Sequence, residues 1–175
     1  MQTLEFAIGF ASCAHRKQKR KYTGEPYMVH CLEVAQIIKS YTDEVDMVVA
    51  AVMHDVLEDT DVTVEEMRAV FGDLVTNLVL EVTDVSKPSD GNRAVRKQID
   101  RDHLAKSSVW GANIKLADLI SNTGSIAKYD PDFAKVYLRE KQLVLPLLKH
   151  GQPNLHWRAT EVCQIALRQL DGAAA

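Results

Sequence analysis

Apolar residues recur along this chain at intervals of three and four positions, the spacing that gathers them on one face of an α-helix. Two such stripes comprise Phe6, Phe10, Cys13 and Ala14, and then Tyr27, Cys31, Val34 and Ile38. The valines between positions 45 and 56 would suit a strand, but no other segment offers the alternating partner that a sheet requires. The pattern therefore predicts an all-α fold.

Turn-forming and capping residues indicate where the helices begin and end. Pro26 is predicted in the first turn of the helix that carries the second stripe. Asp43 is the expected N-cap of the next helix, which would reach about Leu57, and Thr63 opens a capping box for a short helix that ends near Gly72. A loop is expected at 87–92, and further helices at about 93–106, 109–122, 131–149 and 154–170.

The composition is that of a soluble globular protein, since 46% of the 175 residues are apolar and 26% are charged. This length suits a single domain over residues 1–175, with the C-terminal helix at about 154–170 packed on the remainder. The formal net charge of −3 argues against a surface that binds nucleic acid by electrostatic attraction. We therefore expect no nucleic-acid partner.

Membrane insertion and secretion are also not expected. The longest apolar run, Met47–Met53, is far shorter than the roughly 18–20 residues that span a bilayer. The first ten residues carry no basic segment of the kind that begins a signal peptide. The cysteines are too few and too scattered for a disulfide framework, at Cys13, Cys31 and Cys163. A reducing, cytoplasmic location is the expectation.

A cluster of titratable side chains follows the apolar run that begins at Met47. On a continuous helix, the side chains of this cluster would lie within an arc of about 140°, and they belong to His54, Asp55, Glu58 and Asp59. Carboxylates beside a histidine at the end of a core helix are costly to desolvate unless a cation or a reaction requires them. The alternative is a frayed helix end that turns these charges into water.

Two polar residues in other apolar helices add to this cluster. His30 lies near the apolar stripe of its helix, and Asp118 interrupts a largely apolar helix. Each alone has an ordinary explanation, as a hydrogen-bonded core histidine or an aspartate paired with a lysine. Together with His54 and Asp55 they supply two imidazoles and two carboxylates from three helices. Such a set suits a divalent metal such as Mn, Fe or Zn and leaves coordination positions for water.

Four blocks of sequence carry a resemblance to a known family, and they are Ala14–Lys21, Gly24–His30, His54–Thr60 and Ile114–Asn122. Their order and spacing resemble the HD-domain metal-dependent phosphohydrolases. They are most similar to the hydrolase domain of RelA/SpoT proteins and to the stand-alone small alarmone hydrolases of the Mesh type, over about residues 4–150. The resemblance implies an HD-domain helical bundle around a metal site. It also implies removal of the 3′-pyrophosphate from (p)ppGpp-type or (p)ppApp-type nucleotides.

The same resemblance implies roles for individual residues. It implies one Mn²⁺ per chain, with Fe or Zn as alternatives, held by His30, His54, Asp55 and Asp118. Glu58 and Asp59 match the acidic pair of the HDxxED motif, to which water activation and proton transfer are assigned. Arg20 and Lys21 match a basic pair that meets the nucleotide. Asn122, one helical turn after the last metal ligand, matches a further nucleotide contact.

Two departures from the family pattern concern the nucleobase. One extra residue lies between Arg20 and Gly24, and Gly124 stands where many relatives carry an arginine. The contact of that arginine is then either missing or supplied from elsewhere, with Lys128 and Lys135 as candidates. We therefore expect a base preference that differs from that of guanosine-specific relatives.

Two other functions stay open at this stage. An HD-type phosphatase acting on a nucleotide monoester, or on the 2′-phosphate of NADPH, would release orthophosphate instead of pyrophosphate. A nucleotide-binding module without catalysis would not need both Glu58 and Asp59. The synthetase half and the regulatory domains of long RelA/SpoT proteins do not fit within 175 residues, so alarmone synthesis is not expected.

Overall fold

Helices dominate the computed structural model, which describes residues 3–172. Its α-helices are α1 (Leu4–Ala14), α2 (Met28–Lys39), α3 (Val45–Met53), α4 (Val56–Asp59), α5 (Val64–Val82), α6 (Arg93–Leu104), α7 (Val109–Tyr129), α8 (Pro131–Val144) and α9 (Pro153–Gly172). The described residues form no β-strand beyond an isolated antiparallel bridge between Lys19 and Pro26. The all-α prediction is therefore confirmed. The outermost positions of the expected 1–175 domain, 1–2 and 173–175, lie outside the described residues.

Helices α2, α3 and α7 form the centre of the fold. Every residue of α3 from Met47 to Met53 is buried, and this helix packs between α2 and α5. Helix α7 packs on α2 along one side and on α9 along another, so it is covered over much of its length. A polar side chain on any of these three helices is thus enclosed by protein and must find a partner there.

Helix α5 shows how local sequence sets a boundary. The Thr63 hydroxyl accepts a hydrogen bond from the backbone N–H of Glu66, and the Glu66 carboxylate accepts one from the backbone N–H of Thr63, which confirms the capping box. The backbone leaves helical geometry at Gly72, where φ is +79°. Glycine adopts this left-handed region without steric penalty. The predicted helix end near Gly72 is therefore a kink, after which the helix continues to Val82.

Two predicted helix starts are wrong. Helix α3 has Glu44 rather than Asp43 as its N-cap, and the Thr42 hydroxyl accepts a hydrogen bond from the backbone N–H of Glu44. Helix α2 begins at Met28, after Pro26, because Pro26 is still held in an extended bridge with Lys19. The chain before α2 is therefore a hairpin and not a helical turn.

Helix ends in the second half of the chain also differ from expectation. Helix α7 runs past position 122 to Tyr129, and the Thr123 hydroxyl within it donates to the carbonyl of Leu119. Helix α8 ends at Val144, and a 3₁₀ turn over Leu145–Leu148 follows, since Pro146 has no N–H for a helical hydrogen bond. Within residues 3–172 there is no helix of the length and apolarity that a membrane crossing needs.

Candidate metal centre

The chain breaks its helix between α3 and α4, and this break positions two of the expected metal ligands. The continuous helix predicted through this region is wrong, because Asp55 has φ −98° and ψ −3° and the next helix begins only at Val56. The Nε2 atom of His54 lies 3.0 Å from Oδ2 of Asp55. The other ring nitrogen, Nδ1, donates to the carbonyl of Ala51 at 2.9 Å, so Nε2 is left with its lone pair.

His30 from α2 and Asp118 from α7 meet this pair. Nε2 of His30 lies 3.4 Å from Oδ2 of Asp55 and 3.3 Å from Oδ1 of Asp118. Candidate ligand atoms of His30, His54 and Asp55 all lie within 4.8 Å of one another, and Asp118 Oδ1 is 3.9 Å from Nε2 of His54. The structure thus brings together all four residues that the sequence predicted as ligands.

The nitrogen atoms at this point fit a divalent metal ion. Nε2 of His30 and Nε2 of His54 are both buried, and neither makes a hydrogen bond despite the carboxylate oxygens beside it. Buried polar atoms without partners are rare and need an explanation. Two imidazole lone pairs that face two carboxylates form a donor set suited to Mn, Fe or Zn. The geometry therefore supports a divalent metal centre.

Charge around His30 favours a cation at the same place. Burial alone would lower the pKa of His30, but the carboxylates of Asp118 and Asp55 outweigh this effect and raise it to about 9. Protons therefore compete with a metal ion for the ring nitrogen. We expect metal affinity to weaken as the pH falls.

A chain of hydrogen bonds behind His30 fixes the orientation of its ring. The Ser121 hydroxyl donates to Oε2 of Glu33 at 2.7 Å, and Nδ1 of His30 lies 2.9 Å from the same hydroxyl oxygen. Because the hydroxyl proton is committed to Glu33, Ser121 accepts the Nδ1–H of His30, and Nε2 again keeps its lone pair. Partners of this kind orient metal-binding histidines.

Sequence analysis missed Glu33 and Ser121, although a signal was present. Glu33 follows His30 by three positions on α2, and Ser121 follows Asp118 by three positions on α7. Residues at this spacing lie on the same helix face. Both residue types are common on exposed faces, so the spacing identifies them only once the ligands are known.

Replacement of Ser121 by alanine should weaken metal binding roughly 10- to 100-fold, since His30 then lacks the partner that fixes its ring. Competition with a chelator of known affinity measures this change. Ser40→Ala is the matched control, because its hydroxyl bonds only the carbonyl of Ile37. Equal metal affinity in both variants would show that the Ser121 contact has no role at this centre.

Two further side chains hold the carboxylates. The Tyr27 hydroxyl donates to Oδ2 of Asp55 at 2.7 Å. Nζ of Lys115 lies 3.4 Å from Oδ2 of Asp118. Burial lowers the pKa of Lys115, but Asp118 and Asp84 outweigh it and raise that pKa, so the amine stays charged. Asp118 is therefore paired with a lysine on its own helix and also faces the histidines.

The acidic pair on α4 points to two different parts of the molecule. Oδ2 of Asp59 accepts a hydrogen bond from Nε2 of Gln18 at 2.9 Å. Oε2 of Glu58 accepts one from the backbone N–H of Asp84 at 3.1 Å. Burial raises the pKa of Glu58, although the charge of Lys115 opposes the rise. Each carboxylate is thus held in position by a different partner.

The basic segment before α2 forms a hairpin over residues 18–27. Its base is closed by a backbone hydrogen bond from Tyr27 to Gln18 at 3.1 Å, and Arg20 bonds to Glu25 at 2.8 Å. Gly24 has φ +73°, a conformation that favours glycine. The hairpin covers one side of a cavity of about 460 Å³ whose other side is formed by α7 and Phe133. We call this cavity the hairpin cleft.

Arg20 and Asn122 are in direct contact beside the hairpin cleft. Nη1 of Arg20 donates to Oδ1 of Asn122 at 3.1 Å, and Nδ2 of Asn122 donates to Oδ1 of Asp118 at 2.6 Å. Arg20 also donates to the Ser125 hydroxyl at 3.0 Å. A continuous set of contacts therefore joins the basic hairpin to the metal centre.

The lysines near the hairpin cleft are placed differently from Arg20. The Lys21 side chain is 72% exposed and pairs with Asp130 at 3.2 Å. Lys128 lies over the ring of Tyr129, and Lys135 pairs with Asp132, and neither lysine borders the cleft. The expectation that Lys128 or Lys135 replaces the arginine absent at Gly124 has no support in this geometry.

Buried helices deliver two histidines and two aspartates to one point, with an open cleft alongside, which defines a helical protein whose donor set fits a divalent metal ion. The chain belongs to the HD-domain family, whose model matches residues 7–144.

Comparison with known proteins gives relatives of the same kind. The chain is 39% identical over 119 residues to the guanosine-3′,5′-bis(diphosphate) 3′-pyrophosphohydrolase MESH1 of Drosophila melanogaster, covering 66% of this chain and 64% of that protein. It is 37% identical over 134 residues to MESH1 of Homo sapiens, covering 75% and 73%. A probable pyrophosphohydrolase of Mycoplasma pneumoniae is 30% identical over 174 residues. This chain spans 24% of the length of that protein.

A solved structure shares the whole architecture. It is that of a metazoan ortholog of SpoT that hydrolyses ppGpp, with a TM-score of 0.81 and 30% identity. The superposition covers 94% of this chain and 96% of that one. The HD-domain helical bundle that the family resemblance implied is thus found in a known protein.

Proposed function

We propose that this protein is a metal-dependent phosphohydrolase that removes the 3′-pyrophosphate from (p)ppGpp-type or (p)ppApp-type nucleotides in the cytoplasm. One observation carries the proposal: the convergent histidines and aspartates are joined, through the Asn122–Asp118 hydrogen bond, to Arg20 of the basic hairpin. Two relatives named as guanosine-3′,5′-bis(diphosphate) 3′-pyrophosphohydrolases support the choice of reaction.

The proposed metal is a single Mn²⁺, with Fe or Zn as alternatives, held by His30, His54, Asp55 and Asp118. When bound, such an ion polarises a phosphoryl oxygen and lowers the pKa of an attacking water. A second ion would need further histidines between Asp55 and Asp118. His103 is the histidine there, and its Nε2 bonds the carbonyl of Leu80 at 2.9 Å.

Elemental analysis of the purified protein should therefore give one tightly bound metal ion per chain. The reason is that one set of imidazole and carboxylate donors converges within the described residues. Two tightly bound ions per chain would contradict this prediction and would require ligands from elsewhere in the fold.

Glu58 and Asp59 are the proposed acid–base pair. Hydrolysis adds the oxygen of water to the 3′-linked phosphorus and breaks the bond from that phosphorus to the 3′ oxygen. Water loses a proton to a carboxylate, and the departing 3′ oxygen gains one, so that a nucleoside 3′-hydroxyl and free pyrophosphate result. A carboxylate held in position beside the water can take that proton. The raised pKa of Glu58 suits a group that both accepts and returns a proton.

The hairpin cleft is the proposed nucleotide site, with Arg20, Lys21 and Asn122 as its polar contacts. Tyr22, in the stretch that carries the extra residue, lies 6.2 Å from Tyr129 between ring centroids and donates to Asp130. Tyr22 lines the hairpin cleft. The expectation that the adenosine compound is hydrolysed at least as well as the guanosine compound rests on the extra residue before Gly24 and on Gly124.

Substitutions in the hairpin cleft should change substrate binding or turnover and leave the metal content unchanged. Lys21→Ala should raise KM and make it less sensitive to salt, because salt screens the charge pair that this change removes. Asn122→Ala should impair turnover or binding at unchanged metal content. Steady-state kinetics at two ionic strengths measures both effects. If the basic run is merely a solvated surface, both changes will be nearly silent.

Product analysis tests the function itself. Mn²⁺-loaded protein is incubated with ppGpp, ppApp and NADPH, and the products are resolved by anion exchange. Pyrophosphate release from either alarmone is the expected result. Orthophosphate release from NADPH alone would favour the phosphatase alternative, and bound but unchanged nucleotide would favour a binding module.

A further inference from the structure

A second cavity is bordered by Glu58. It has a volume of about 400 Å³ and is formed by α4, the segment 83–86 and α6. Glu58 lines this cavity, whereas Gln18, which holds Asp59, lines the hairpin cleft. The two cavities have no lining residue in common. The acidic pair therefore stands between them, and we call the second cavity the α6 cleft.

One face of α6 presents three cations to the α6 cleft. Arg93, Arg96 and Lys97 follow the three- and four-residue spacing that places side chains on one helix face. Arg93 is engaged by Glu140 in a two-point ion pair, with distances of 2.7 and 2.8 Å. Lys97 pairs with Asp84 at 2.5 Å. These two cations are already neutralised.

Arg96 is the cation of this face that has no counter-charge. Among residues 3–172 it takes part in no ion pair, and its Nε atom is buried without a hydrogen-bond partner. A guanidinium is a planar donor that matches phosphate oxygens in a two-point geometry. A buried, unpaired guanidinium nitrogen in a polar cavity indicates a site for an anion.

The acidic groups of the α6 cleft are occupied and do not cancel this charge. Asp100 accepts hydrogen bonds from the backbone N–H groups of Val85 and Ser86 at 3.1 and 2.9 Å. Asp84 is paired with Lys97; burial raises the pKa of Asp84, but the charges of Lys115 and Lys97 outweigh this and hold the pKa below its usual range. Arg96 is thus set beside carboxylates that already have other partners.

We propose that the α6 cleft binds the diphosphate group that the reaction releases, with Arg96 as its principal contact, while the hairpin cleft holds the nucleoside. This inference rests on the proposed function, because it divides one substrate between two cavities. It places the bond to be broken at the turn that carries Asp55, Glu58 and Asp59. The diphosphate then leaves through the α6 cleft and the nucleoside leaves through the hairpin cleft.

Binding of inorganic pyrophosphate to the metal-loaded protein tests the proposal without turnover. Calorimetric titration should give a Kd that Arg96→Gln raises roughly 10- to 100-fold, the loss expected when a charged hydrogen-bond donor is removed. Arg96→Lys should fall between wild type and Arg96→Gln because it keeps the charge. Arg101→Gln is the control on the same helix, since Arg101 bonds Gln98 and does not line the cleft.

Binding of a nucleoside 5′-diphosphate provides the complementary measurement. Arg20→Gln should weaken binding of a nucleoside 5′-diphosphate and leave pyrophosphate binding unchanged, and Arg96→Gln should do the reverse. An equal pyrophosphate Kd in Arg96→Gln and wild type, with helical circular dichroism intact, would overturn the proposal. Because binding is measured with the product, a protein that binds pyrophosphate through Arg96 but cleaves no alarmone would overturn the proposed reaction and leave this site standing.

Discussion

Glu58→Gln and Asp59→Asn are each expected to lower turnover about 10²- to 10⁴-fold while the metal content stays unchanged. Both substitutions keep the side-chain shape and remove the group that can accept a proton. The amide oxygens can still accept from the backbone N–H of Asp84 and from Gln18, so the local structure should persist. Initial rates with saturating alarmone, together with elemental analysis, measure the two quantities.

Glu65→Gln is the control for this pair, because Glu65 is an exposed carboxylate in the first turn of α5. It should have the activity of the wild type. The structure also separates the two catalytic candidates, since Glu58 lines the α6 cleft, whereas Asp59 bonds Gln18, a residue of the hairpin cleft. Near-normal turnover in both variants would mean that another group activates the water.

His54→Ala is expected to abolish metal binding and, with it, hydrolysis, while the protein stays helical. The change removes the Nε2 lone pair that faces Asp55 and the Nδ1 hydrogen bond to Ala51. The helices around it are held by the apolar residues of α3, which are not altered. Elemental analysis after dialysis and far-ultraviolet circular dichroism give the two readouts.

His103→Ala provides the comparison for that loss. His103 bonds a backbone carbonyl on α5 and contributes nothing to the proposed metal centre, so its variant should keep the metal. Full metal occupancy in His54→Ala would show that the ion is held elsewhere in the molecule.

Helical spacing was enough to predict the fold class and most helices, but it could not show the break that builds the metal centre. Val56 and Leu57 continue the apolar spacing of α3, so the pattern reads as one helix through them. The break depends on contacts that form only in the fold, such as the Tyr27 hydroxyl on Asp55. Periodicity reports a local preference, and packing overrides it here.

The ligand set could be anticipated because its residue types are unusual where they occur. A histidine near an apolar stripe and an aspartate within an apolar helix are conspicuous against ordinary core residues. Gln18 and Ser121 are ordinary polar residues, and their role follows only from contacts across long stretches of chain. The Arg20–Asn122 contact spans 102 positions and is likewise a product of the tertiary fold.

The hairpin over residues 18–27 is closed at its base by the backbone bonds between Gln18 and Tyr27 and between Arg20 and Glu25, whereas its tip turns at Gly24. The start of α2, and hence His30, is set by the closed base. The tip can therefore be lengthened, shortened or replaced by the tip of a relative without moving the proposed metal ligands. Under the proposed function, a change at the tip would alter the choice of nucleobase and leave the hydrolytic residues where they are.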